Sequence, residues 1–249
     1  MNVKIADRLQ GIGEYYFSKK LQEIELLNKS TPAVINLGIG SPDLAPDNAV
    51  ITSLQSNASL FNTHAYQPYK GLPAFKSAIT NWYASHYNVS LNTNQVLPLI
   101  GSKEGIMHIC MTYLNQGDQV LIPNPGYPTY TSAVKLAGGT PIYFDLKENV
   151  NWQPDFDSLE KLDLHNVKMM WVNYPNMPTG QNATYQLFEK LIQFGINHNI
   201  LICHDNPYSF ILNDTPLSIL SIPNALQVAI ELNSLSKSHN MAGWRVGML

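Results

Sequence analysis

The chain has 249 residues, 45% hydrophobic, 13% charged and 10% aromatic, with a formal net charge of -3, a globular composition far from that of disordered chains. Its 15 Lys and Arg are scattered rather than clustered, which gives no basic field for nucleic acid. No apolar run approaches the roughly 20 residues that span a bilayer, and the amino terminus lacks the apolar core of about 7 to 15 residues of a secretory signal, so we expect a soluble cytoplasmic protein with no membrane partner.

Helical periodicity predicts a helix over 15–28, followed by an extended segment, 34–43, punctuated by Pro and Gly. Residues 1–50 therefore read as an arm with the start of a small domain, and 51–249 as the main domain. From about residue 95, β-rich runs at 95–100, 119–122, 141–144, 167–172, 200–203 and 226–232 alternate with helix-period stretches at 102–115, 127–136 and 183–197. Gly138-Gly139 closes the second helix as a C-cap should. That rhythm predicts an α/β fold of βα repeats with a mostly parallel central sheet and helices on both faces. The last residues, 245–249, read as a strand that has only begun, so the sheet is expected to continue beyond Leu249.

Cys110 and Cys203 have no CxxC partner and no His-rich neighbourhood; they read as buried thiols, with neither a disulfide nor a metal expected. Asn88-Val-Ser90 and Asn182-Ala-Thr184 match the glycan acceptor pattern but lack a secretory route.

Chemistry concentrates between Ser234 and Gly247. Lys237 is flanked by Ser234 and Ser236, and Arg245 follows eight residues on. An amine for imine formation, with hydroxyls and a guanidinium for a dianion, suits a phosphate-bearing aldehyde. On spacing alone, a surface lysine beside a polar turn is the stronger reading. Identity reverses that weighing. The segment, S-x-S-K followed by G-x-R-x-G, resembles the pyridoxal-phosphate (PLP) attachment signature of class I/II, fold-type I, aminotransferases. Further segments resemble the same family in the same order: Asn36-Leu-Gly-Ile-Gly40, Tyr66-Gln-Pro-Tyr-Lys-Gly71, Gly101-Ser-Lys-Glu-Gly105, Asn124-Pro-Gly-Tyr-Pro-Thr-Tyr130, Tyr174-Pro-Asn-Met-Pro-Thr-Gly180 and Asp205-Asn-Pro-Tyr208. The resemblance covers nearly the whole chain.

It implies a PLP-dependent transfer of an amino group from an α-amino acid to a 2-oxo acid, with Lys237 as the Schiff-base lysine and proton shuttle. Ser102 and Lys103 would present amides to the phosphate at the positive end of a helix, although an ordinary N-cap at Ser102 fits those residues alone. Ser234, Ser236 and Arg245 would complete the phosphate site. Tyr127, in a loop between Gly126 and Pro128, would lie on the pyridine face; a merely packed tyrosine is its plain alternative. Asp205, after the 200–203 strand, would face the pyridine nitrogen, although Asn206-Pro207 beside it also suits a turn former. Tyr208 and Asn176 would approach the phenolic oxygen. Gly40 belongs to the substrate-carboxylate loop, and Tyr66 would reach the phosphate of a partner subunit, which implies a homodimer.

Two departures stand out. Met177 occupies the position where the family has an asparagine that bonds the phenolic oxygen. The family also continues well past the lysine, through a small domain and the arginine that clamps the substrate carboxylate, so the resemblance implies a large domain truncated at its carboxyl end with the small C-terminal domain missing. GSKEG and PGYPTY resemble the branch that includes LL-diaminopimelate, alanine and aspartate-like aminotransferases. A C–S β-lyase of the same fold and an inactive truncated fragment are the alternatives.

Overall fold

The computed structural model describes residues 3–10, 12–13, 16–29 and 33–249. The chain divides into two compact units, Met1–Asp43 and Leu44–Leu249. In the first, α1 spans Tyr16–Leu27; Tyr15, where the sequence begins the helix, lies outside the described residues. No described side chain of this unit is buried.

The second unit opens with two helices that the periodicity does not signal. Helix α2, Asn48–Ala58, starts from Asp47, whose side chain accepts from the Ala49 amide. Helix α3, Pro73–Tyr87, has Pro at its first turn and ends on Asn88 in the left-handed conformation, the usual chemistry of helix ends. Strand β1 is only Pro98–Leu99: Gln95, where the expected run begins, ends a 3₁₀ turn, Thr93–Gln95, closed by an Asn92–Gln95 capping box, and Pro98, lacking an N–H, suits an edge.

Helix α4, Ser102–Tyr113, leads to β2, Gln119–Asn124, α5, Pro128–Leu136, and β3, Thr140–Asp145. After the short α6, Phe156–Leu159, come β4, Val167–Asn173, α7, Tyr185–His198, and β5, Leu201–Asp205. Helical turn α8, Ala225–Val228, precedes β6, Ala229–Ser234, and α9, Leu235–Ser238, precedes β7, Gly247–Met248. Thus the expected strand at 226–232 begins as a helical turn, set by Asn224 with φ 66°.

Among the described residues seven strands form one sheet in the order β1-β7-β6-β5-β4-β2-β3. Strands β2 to β6 pair in parallel, and β7 runs antiparallel between β6 and β1. One face packs Leu187, Phe188, Leu191 and Ile192 of α7 on Met170, Val172 and Ile202. The other packs Ile106, Ile109, Tyr130 and Val134 of α4 and α5 on Val120, Trp171 and Cys203. Cys110 and Cys203 are free and buried, and burial pushes both thiols upward, Cys110 to about 12.

Every parallel strand ends on a short polar residue: Asn124, Asp145, Asn173, Asp205 and Ser234. Register pairs Asn124 with Asp145 and Asn173 with Asp205. Since β3 returns to the far side of β2 before the chain resumes at β4, the order reverses beside β2, and the carboxyl edge there is where open α/β sheets take ligands.

Candidate active site

Asp205 is the last residue of β5 and is buried. The Tyr130 hydroxyl of α5 donates to its Oδ2 at 2.8 Å, and the Tyr130 ring is itself held by stacking on Trp171, with centroids 5.0 Å apart and planes 6° apart. Its other oxygen, Oδ1, is buried with no hydrogen-bond partner; among the described residues only Trp171 Nε1 shares that condition. Burial pushes the Asp205 carboxyl up to about 6, opposed by the Tyr130 hydrogen bond and by positive charge at His204. An orphaned, buried carboxyl oxygen at a strand's carboxyl end is poised for a cationic N–H donor, which would favour its ionised form.

Asn173, at the end of β4, ties this edge to the following loop. Its Nδ2 donates to the Asp205 carbonyl at 2.8 Å and its Oδ1 accepts from the Met177 amide at 2.8 Å. Asn176 is buried, its Nδ2 donating to Asn173 O at 3.2 Å and its Oδ1 accepting from Thr179 Oγ1 at 2.8 Å. Both ends of that side chain are engaged inside the loop. Met177 beside it is half-buried.

A second group of residues gathers around the start of α4. The N-cap there is Gly101, not Ser102, and makes no side-chain cap bond, so Ser102 and Lys103 supply first-turn amides at the positive end of the helix. Gly101 has φ 91°, and a Cβ on it would lie 2.3 Å from Arg245 Nη2, so the guanidinium rests against the helix entrance. A Cβ on Gly247 would lie 2.9 Å from the Ser102 nitrogen; Gly247 pairs with Ser234 in the sheet. Ser234 accepts from the Ser236 amide at 3.1 Å and its hydroxyl donates to Ser236 Oγ at 2.9 Å, capping α9. Two close approaches thus bring the helix entrance, the exposed Arg245 and the end of β6 together in a cationic, donor-rich corner. Arg245 Nη1 donates to Ala242 O at 2.9 Å, which orients the guanidinium.

Lys237 lies in α9, half-buried, and burial pushes its amine below the ordinary lysine range. Tyr127 is the N-cap of α5, its half-buried ring edge-on to Tyr130 at 5.7 Å. Tyr208, also half-buried, follows Asp205 by three residues. Tyr66 is fully exposed in the second unit; Gly40 is exposed in the first. The geometry adds residues the sequence did not single out. Tyr130 and Asn173 hold Asp205, and His204 and Glu231 form a buried pair behind it, with Nδ1 and Oε2 2.8 Å apart. Their signal was a polar residue within an apolar strand or, for Tyr130, a second tyrosine three residues after Tyr127. Among the described residues no helix is long and apolar enough to cross a membrane.

Known proteins share both the sequence and this arrangement of strands. The chain is 39% identical to the LL-diaminopimelate aminotransferase of Dehalococcoides mccartyi over 99% of its length, and 39% identical to that of Aquifex aeolicus over 98%. It spans 64% of the length of these curated relatives. Substrate-bound BacF from Bacillus subtilis superposes over 100% of the chain and 63% of its own, with a TM-score of 0.92 at 35% identity. An aromatic aminotransferase from Pyrococcus horikoshii covers 93% of the chain and 61% of its own, with a TM-score of 0.82 at 28% identity. The profile described as aminotransferase class I and II matches residues 32–249, and the chain belongs to that family, with the α/β fold of its PLP-binding, fold-type I members.

Proposed function

We propose that this protein transfers an amino group from an α-amino acid to a 2-oxo acid, using the pyridoxal phosphate on which aminotransferases of this class depend. The observation that carries the reading is Asp205 Oδ1, a buried acceptor without a partner, which fits the protonated ring nitrogen of that cofactor. At the other end, the Ser102 and Lys103 amides, Ser234, Ser236 and Arg245 fit a phosphate dianion, and Lys237, three residues beyond β6, supplies the amine.

The bound cofactor would supply an electron sink for charge developing at the substrate Cα. Asp205 would hold the ring nitrogen's proton, and Tyr130 would keep the carboxylate turned with Oδ1 toward it. Tyr127 would cover a ring face and exclude water. Lys237, its amine favoured in the neutral form by burial, would take the proton from the substrate Cα and return it on the far side of the substrate nitrogen, two bonds away. Tyr208 would donate to the phenolic oxygen, with Asn176 on the neighbouring loop. The exposed rings of Tyr66 and Tyr69 support a homodimer, with Tyr66 reaching the partner subunit's phosphate, and the cytoplasm is the proposed location. LL-Diaminopimelate is the donor to assay first, because the curated relatives at 39% identity bear that name.

Adding pyridoxal phosphate to the purified chain is expected to give a visible absorption band that Lys237→Ala abolishes. Absence of the band from the parent chain would sink the cofactor assignment. Conversion of an amino acid to its 2-oxo acid with pyridoxamine phosphate supports transfer; pyruvate and ammonia instead would assign elimination.

A further inference from the structure

Behind Asp205, on the opposite face of the sheet, sits a charged pair that the proposed chemistry does not use. Successive strand residues point to opposite faces, so where Asp205 meets Tyr130, His204 meets Glu231 of β6, its register partner. Both side chains are fully buried. His204 Nε2 lies 2.8 Å from the Tyr174 carbonyl oxygen. A carbonyl oxygen only accepts, so Nε2 carries a hydrogen. Nδ1 faces Glu231 Oε2 at 2.8 Å. Glu231 also accepts from the Tyr83 hydroxyl at 2.9 Å, and from the Ser218 hydroxyl and the Ile219 amide at 3.0 Å each. Three fixed donors from α3 and the loop before α8 fill a carboxylate and leave little lone-pair capacity for a protonated acid. The consistent assignment is an imidazolium with both nitrogens donating, paired with a carboxylate.

The pair is an expensive way to fill a core. Phe188 packs edge-on against the His204 ring with centroids 4.9 Å apart, and apolar residues of similar volume would serve stability as well or better. We propose that His204, held by Glu231 with both ring nitrogens donating, sets a positive charge behind Asp205, which keeps that carboxylate ionised so that it can hold a cationic ring nitrogen. His204 and Glu231 are then positioning residues for the site; the inference rests on the cofactor reading above and adds residues to it. Burial alone drives Asp205 toward its neutral acid, and the groups around it that could oppose this are few. On its own face Tyr130 opposes it through its hydrogen bond, the larger of the two opposing effects, and Tyr208 stands in the next turn; both are weak acids that bring no positive charge. Around Glu231 stand Tyr83 and Tyr87, which its charge and their burial push upward. His204 is the cation that acts on Asp205, and its charge opposes the burial.

The test uses the whole chain and needs no bound cofactor. Side-chain ¹⁵N shifts of His204 are expected to show a hydrogen on each ring nitrogen, as the two contacts require. The ¹³C shift of the Asp205 carboxyl, followed through a pH titration, reports its midpoint. Glu231→Gln, which removes the counter-charge and lets the ring become neutral, is expected to raise that midpoint by about one pH unit, a tenfold gain in proton affinity. His204→Gln should do the same. A neutral His204 ring in the parent chain, or a midpoint unmoved in whichever variants fold, overturns the proposal. A parent chain that fails to take up pyridoxal phosphate would count against the cofactor reading while leaving these titrations interpretable.

Discussion

At the scale of the residue, Asp205 shows a conflict between stability and use. Its ordinary value is 3.8 and the fold raises it to about 6, so the folded chain binds this proton more tightly than the unfolded chain. The stabilisation is complete below about pH 4 and is lost as pH rises through about 6. In the cofactor-free chain, Asp205→Asn is therefore expected to gain up to roughly 3 kcal/mol over the parent near pH 8, and nothing near pH 4. Urea unfolding at the two pH values checks this, and a variant less stable than the parent at the higher one would refute it. Lys237, Asp205 and Arg245 were legible in the sequence because each sits in a fixed motif. Tyr130 and His204 were not, because their roles come from what lies across the sheet or behind it, and a residue seventy-five positions away leaves no trace in local spacing.

At the scale of the element, the entrance to α4 carries the corner proposed for phosphate. Gly101 combines a positive φ with the close approach of Arg245, so Gly101→Ala strains the backbone and displaces the guanidinium together. A loss of about 1–3 kcal/mol is expected, with weaker pyridoxal phosphate binding. Adding Arg245→Ala should restore part of the stability, since it removes the clash, and none of the binding. Thermal melts and the visible band measure the two effects, and a double variant no more stable than Gly101→Ala would contradict the contact. Four of the expected strands, at 119–122, 141–144, 167–172 and 200–203, appear within two residues of their predicted places, because apolar runs bounded by polar turns are a strong signal. Helices α2 and α3 were missed: α2 buries no residue and α3 buries only Lys76, Ile79, Tyr83 and Tyr87, so neither writes a clear apolar stripe into the sequence.

At the scale of the whole molecule, burial is uneven. The first unit buries none of its described side chains, whereas Met169, Met170 and Trp171 of β4 are wholly enclosed. Local opening is easiest where little apolar surface is enclosed. Amides of α1 are therefore expected to exchange hydrogen ~100-fold or more faster than those of β4 in the intact chain; equal protection would contradict it. The alternation of strands and helices announced the parallel sheet, yet not the seating of β7, which depends on pairing with residues nearly 150 positions earlier. That seating has a consequence for synthesis. Strand β7 is the wedge between β6 and β1, so on a ribosome the flank of β6 stays bare after Lys237 and Asp205 have already emerged. A nascent chain paused there holds its reactive groups beside an open sheet edge, and such an edge can recruit a strand from a neighbouring polysome-bound copy. Two residues, Gly247 and Met248, close that opening.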